Sequence, residues 1–202
     1  MVRVVYAGGM TAVPDTRVAP GRLELVRAFV NTLDLDLRSE ALESPAATAA
    51  WLAAAGLIPL GMPLSPADQA RVIEAREALR SLLLAHATGE AGADALEQIN
   101  RIADRARLRL HLATPMTTAI GVDSDGTDAA LGVLVAIVFE AIAGDTWTRL
   151  KVCPSETCRW AFFDGSKNRS SRWCSMRDCG ARAKRETFRR RHGRTAQAAG
   201  PS

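Results

Sequence analysis

The chain has 202 residues, 48% of them hydrophobic, 24% charged and 5% aromatic, with a formal net charge of +4. This is globular composition for one generous domain, or one domain with a small appendage, and it excludes wholesale disorder and collagen-like repeats. The charge is uneven: residues 1–150 hold 13 Arg+Lys against 18 Asp+Glu, a net of −5, and residues 151–202 hold 13 against 4, a net of +9. A mildly acidic body with a basic tail points to a polyanionic partner, nucleic acid first; a merely solvated basic tail is the plainer alternative.

Residues 1–20 are broken by Gly8-Gly9, Pro14 and Pro20, and their single early charge and weak apolar patch do not make a signal peptide. From Arg22 the spacing of Leu23, Val26, Val30 and Leu33, widened by Leu25 and Phe29, predicts a helix. Asp34–Glu43 reads as a polar loop, and Pro45–Ala55 as a short Ala-rich helix carrying Trp51 and stopped by Gly56. Ser65-Pro66-Ala67-Asp68 is a strong helix start, because Ser65 can cap, Pro66 fits the first helical position and Asp68 meets the positive end of the dipole. Val72, Ala75, Leu79, Leu82 and Leu83 then share one face to about His86, and Gly89 and Gly92 separate a second helix with Leu96, Ile99 and Ile102 inward. Leu108–Leu112 alternates like a half-buried strand, with a partner around Thr117–Val122.

Asp128–Ala143 is the most apolar helix, and its eleven-residue apolar centre, Ala129–Phe139, suits a buried core. The long uncharged stretch Ser44–Ala67 is interrupted by four prolines, so no membrane span is expected. Residues 1–149 therefore read as a mainly helical α+β domain with a small sheet.

All four cysteines, Cys153, Cys158, Cys174 and Cys179, fall in one 27-residue window. Two close pairs with a fifteen-residue insert suit a structural zinc site, since a short loop delivers two soft ligands at little entropic cost. Two disulfides or free thiols are the competing readings; a reducing compartment disfavours the disulfides. The insert reads as a β-hairpin through Arg159–Phe163 and the Asp164-Gly165 turn, and Ser175 as the cap of a helix to about Arg191. Trp160 and Trp173 suit cover for the metal. Four thiolates leave zinc no open position, so catalysis there is not expected. Lys167, Asn168, Arg169, Arg172, Arg177, Arg182, Lys184, Arg185 and Arg189 are the candidate DNA contacts, with Arg182, Arg185 and Arg189 forming one helical stripe. Residues 150–194 form this finger and residues 195–202 a disordered tail.

The segment LKVCPSETCRWAFFDGSKNRSSRWCSMRDCGAR (Leu150–Arg182) resembles the CGNR zinc-finger family in its cysteine spacing, its FFDGSKNRS loop and its RWCSM-x-x-CG run. APGRLELVRAFVNTLDLD, followed by AAWLAAAGL, resembles the ABATE domain that usually precedes that finger. The name motif here reads Cys179-Gly180-Ala181-Arg182, so an amide that could cap or contact a base is absent while the metal ligands are intact. The resemblance implies a stress-linked bacterial transcription regulator.

The expectation is a cytoplasmic, non-enzymatic regulator with one zinc per chain. Its finger would bind double-stranded DNA, and its N-terminal domain would sense a small molecule or form a homodimer. A zinc-stabilised RNA-binding or protein-interaction module is the alternative. Asn31, Thr32, Trp51 and His111 are the candidate ligand contacts, although the first two could simply satisfy local backbone, Trp51 could be core and His111 solvent-facing. No nucleophile elbow, P-loop, HExxH or dinucleotide fingerprint is present, and Asp123, Asp125 and Asp128 lack the remaining ligands of a calcium loop.

Overall fold

A computed structural model describes residues 17–89, 92–113 and 117–198. Helix α1 (Leu23–Val30) buries Leu23, Val26, Phe29 and Val30. The segment expected to be a polar loop instead forms a minimal hairpin, β1 (Leu33–Asp34) and β2 (Ser39–Glu40), with Leu33 opposite Glu40. The Asp34 carboxylate closes it by accepting the Asp36 and Leu37 N–H groups at 2.9 and 3.0 Å, an Asx turn that polar composition alone does not distinguish from a loop.

Helix α2 (Pro45–Ala54) is capped by Ser44. Helix α3 (Pro66–Thr88) starts in a full Ser65–Asp68 capping box and ends at Gly89, whose φ of +82° a side chain would resist. All five residues assigned to its inner face are buried.

In α4 (Ala93–Arg105) Ala95, Ile99 and Ile102 face inward, while Leu96, expected in that stripe, is half exposed. The hairpin β3 (Leu108–Ala113) and β4 (Thr117–Val122) pairs Leu108 with Val122 and Leu110 with Ile120. It is not the half-buried strand that alternation suggested: Leu110 and Leu112 are 83% and 79% exposed. Among the described residues it is the base of the hairpin that packs, and Gly132 of α5 (Gly126–Ala143) makes that approach possible: a Cβ there would lie 2.4 Å from the Ala106 Cβ and 3.1 Å from Val122. Asp125, at the start of α5, makes no side-chain cap, and Asp128 pairs with Arg71 at 3.0 Å instead.

Helix α5 is long and apolar enough to cross a bilayer, yet it is the central core helix, with Leu131, Leu134, Val135, Ile137 and Val138 buried. Helices α1, α3 and α4 pack around it. After a 3₁₀ turn (Trp147–Arg149), β5 (Leu150–Val152) and β6 (Ala161–Phe163) pair antiparallel, Leu150 opposite Phe163. The finger's hairpin thus holds the first cysteine pair in its connection, whereas the sequence suggested a turn at Asp164-Gly165.

The β5–β6 pair lies on the helical body. Leu150, Val152 and Ala161 are fully buried in the same core as α1, α3 and α5. Polar staples reinforce this seam. Asn31 accepts the Ala161 N–H at 2.7 Å and donates to the Ala161 carbonyl at 2.9 Å, as a neighbouring strand would. Arg80, 7% exposed, donates to the carbonyls of Val30 and Arg159 at 2.7 and 2.9 Å. His86 donates from Nδ1 to the Leu150 carbonyl at 2.8 Å. A π-helical turn (Met176–Gly180) leads into α6 (Ala181–Ala198). That helix runs four residues past Arg194, into the segment expected to be a disordered tail. Nothing in Thr195–Ala198 breaks a helix; the Gly200-Pro201 pair lies outside the described residues.

Candidate metal centre and nucleic-acid interface

The connection from β5 to β6 delivers Cys153 and Cys158, and the segment leading into the π turn delivers Cys174 and Cys179. All four sulfurs lie within 4.8 Å of one another. Sγ of Cys158 stands 3.5 Å from that of Cys174, which stands 3.7 Å from that of Cys179. These gaps are far too long for S–S bonds at ~2.05 Å. They fit the edge of a zinc tetrahedron, where Zn–S bonds of about 2.3 Å place sulfurs about 3.8 Å apart.

The surroundings suit thiolates. Backbone N–H groups of Cys174 and Ser155 point at the Cys153 sulfur, and that of Trp160 at Cys158. The Cys153 thiol is pulled far below its ordinary range, chiefly by hydrogen bonding from the Cys158 and Cys174 thiols. Cys158 is pushed up to about 12, first by its bond to Cys153, and Cys174 is pushed up by both neighbours. Zinc binding displaces the thiol protons of its cysteine ligands, so four thiols crowded together in this way suit a dication. Phe162, Trp160 and Trp173 cover the cluster. The residues present therefore fit one structural zinc, which when bound would tie the two ends of the finger together.

Lys151, which sequence reasoning passed over, and Asp164, which it read only as a turn former, hold the loop between the cysteine pairs. They are 6% and 1% exposed and pair at 2.8 Å. Lys151 also donates to the carbonyls of Arg169 and Ser171 at 2.6 and 3.2 Å. Asp164 accepts the N–H groups of Ser166 and Ser171 at 3.0 and 2.8 Å. Burial alone would raise the Asp164 pKa, but Lys151 and the serines outweigh it and hold the carboxyl well below the usual range. The FFDGSKNRS text was the signal: its Asp is a loop organiser and not only a turn former.

Gly180 brings the π turn close under Trp173, since a Cβ there would sit 3.0 Å from the Met176 sulfur and 3.4 Å from the indole. Ser175 caps that turn by accepting the Asp178 N–H at 3.2 Å.

The candidate cations divide into two groups. Arg169, in a left-handed conformation at φ +51°, pairs with Asp145 at 3.0 Å. Arg172 stacks on Trp173, 5.3 Å from the ring centroid. Arg182 donates to both carboxylate oxygens of Asp36, at 3.1 and 3.3 Å, and to the Cys179 sulfur at 3.3 Å. Its pKa rises accordingly, first through Asp36 and then through Cys179. Lys167, Asn168 and Arg177 are exposed on the surface of the finger.

Lys184, Arg185 and Arg189 are exposed on α6 and make no side-chain hydrogen bond or ion pair among the described residues. With Arg182 they line an open cleft of about 1150 Å³ between α6 and the Pro154–Thr157 connection, to which Trp173 and the exposed Phe188 add aromatic surface.

Three of the four candidate ligand contacts have structural tasks, and the fourth is exposed. Asn31 is the staple to Ala161. Thr32 donates to the Phe29 carbonyl at 2.8 Å and accepts from Arg76 at 3.2 Å. Trp51 packs on Phe29, ring centroids 5.5 Å apart. His111 stands exposed on β3 opposite Ala119.

Comparison with known families matches residues 149–192 to the CGNR zinc finger. It matches residues 23–148 to ABATE, described as "Putative stress-induced transcription regulator". No curated protein matches the chain. Both families are of regulator and zinc-finger type, not enzyme families. The chain belongs to the ABATE family and carries a CGNR zinc finger after that domain.

Proposed function

We propose that this member of the ABATE family binds double-stranded DNA through its zinc finger, as a cytoplasmic, non-enzymatic transcription regulator. One observation carries the reading: Lys184, Arg185 and Arg189, free of partners among the described residues, line an open cleft beside the metal centre. Uncompensated cations on an exposed helix are what phosphate oxygens replace water around, with release of counterions. The Pro154–Thr157 wall of the cleft, with Lys167 of the loop and Arg177 of the π turn, would hold the backbone, and the helix would face the groove. Arg169 and Arg182 contribute less, because acidic groups of the body already neutralise them. In this reading the N-terminal domain senses a small effector or forms a homodimer; the exposed Leu110 and Leu112 are in keeping with a self-association surface.

The experiment is a salt titration of binding to a labelled duplex, followed by fluorescence anisotropy. Each lost phosphate contact lowers the log–log slope by about 0.9, so the double variant R185A/R189A is expected to lose about 2 from it. An unchanged slope removes the cleft as the interface, and equal affinity for single-stranded RNA favours the RNA-binding alternative.

A further inference from the structure

The arginine that ends the Cys-Gly-Ala-Arg motif is the one cation of the α6 stripe with two internal partners among the described residues. Its Nη2 reaches the Cys179 sulfur at 3.3 Å and an Asp36 oxygen at 3.3 Å, and its Nη1 reaches the other Asp36 oxygen at 3.1 Å. Cys179 is 2% exposed. Four thiolates around one Zn²⁺ leave the centre with two net negative charges, and backbone N–H groups already serve Cys153 and Cys158. At Cys179 that task falls to a full positive charge, and a charge-assisted bond quiets a thiolate more than a neutral amide does. Asp36 is held in place in turn. Its own N–H is tied to Asp34 in the β1–β2 turn, and β2 is pinned to α3 by the 2.7 Å pair of Glu40 with Arg76.

The geometry points to Arg182 as a positioning residue of the metal centre and Asp36 as its anchor, so that a turn of the N-terminal domain governs how firmly the finger retains zinc. The motif arginine thus serves the metal before any nucleic acid. This inference stands whether or not the cleft binds DNA, because its test contains no nucleic acid.

Zinc-loaded full-length protein is mixed with excess 4-(2-pyridylazo)resorcinol, and the rate of zinc transfer is followed by absorbance. Supporting residues around a metal site typically shift its affinity 10–100-fold, so R182Q is expected to release zinc about tenfold faster. D36N should move the rate in the same direction by less, R182K should restore part of the loss, and R185Q should match wild type. Cobalt-substituted protein gives a second readout. Without the guanidinium the Cys179 lone pair rises in energy, so the sulfur-to-cobalt charge-transfer band of R182Q should move to longer wavelength, a change that loose packing alone would not produce. Zinc transfer at the wild-type rate in either R182Q or D36N, or an unmoved cobalt band in R182Q, overturns the proposal. Should R182Q fail to fold, D36N keeps it decidable.

Discussion

Replacing Asp164 with Asn isolates the buried ion pair under the finger loop. In the native protein Lys151 Nζ meets one carboxylate oxygen and two carbonyls, and both side chains of the ion pair lie below the surface. Asn has one acceptor oxygen and can serve only one of the two loop amides, which bond different oxygens of Asp164; the carbonyls of Arg169 and Ser171 remain, but the ammonium loses its counter-charge. Removing one member of such a pair costs ~3–5 kcal/mol, and the surviving carbonyls place D164N at the lower end, about 3 kcal/mol. For a chain of this size that is a fall in Tm of roughly 6–12 °C. The assay is a thermal melt followed by circular dichroism in buffer with excess zinc, so that metal loss does not dominate. The double variant K151M/D164N, which removes the stranded charge while keeping an acceptor for one of the Ser166 and Ser171 amides, should recover part of the loss. If D164N melts within about 2 °C of wild type, or K151M/D164N melts no higher than D164N, the pair does not organise the loop and the reasoning fails.

Cys174→Ser should abolish stoichiometric zinc by elemental analysis. Because Leu150, Val152 and Ala161 belong to the core of the helical body, it should also lower the melting temperature of that body. An unaltered body transition would show that the seam carries no stability, as a free-standing finger would. Asn31→Ala removes both strand-like bonds to Ala161 and should cost about 1–3 kcal/mol in denaturant unfolding, with an effect under 0.5 kcal/mol counting against the staple. Gly132→Ala places a methyl group 2.4 Å from the Ala106 Cβ and should cost about 1–3 kcal/mol through overpacking; a neutral or stabilised melt would mean that the hairpin base is loosely held. Burial at the α3–β5 seam holds the His86 pKa below its ordinary value of 6.5. As pH falls below about 6.5 the unfolded chain takes up the proton first, so stability should decline toward the lowered folded value. His86→Gln, which keeps a donor for Leu150 without titrating, should flatten that limb, and a slope equal to wild type would assign it to other groups.

Much of this protein is local and was legible in its sequence. The Ser65–Asp68 box, the Gly89 stop, the buried face of α3 and the apolar α5 depend on spacing within one or two turns. The cysteine pairs are legible because a zinc tetrahedron needs two short loops, and the finger text is distinctive. What sequence pattern could not settle is which faces find a partner. Leu96, Leu110 and Leu112 obey the right periods yet stay in solvent, because period sets the direction of a side chain and not the presence of a neighbour. Asn31 reads as a ligand contact until a strand 130 residues away meets it. Arg169 and Arg182 read as DNA contacts until Asp145 and Asp36 arrive across the seam. Composition and cysteine spacing determined that the last quarter of the chain is cationic and carries the metal-ligating residues. Only the tertiary structure decided which of its charges are spent internally, since charge neutralisation depends on distances of a few ångströms between segments far apart in the chain.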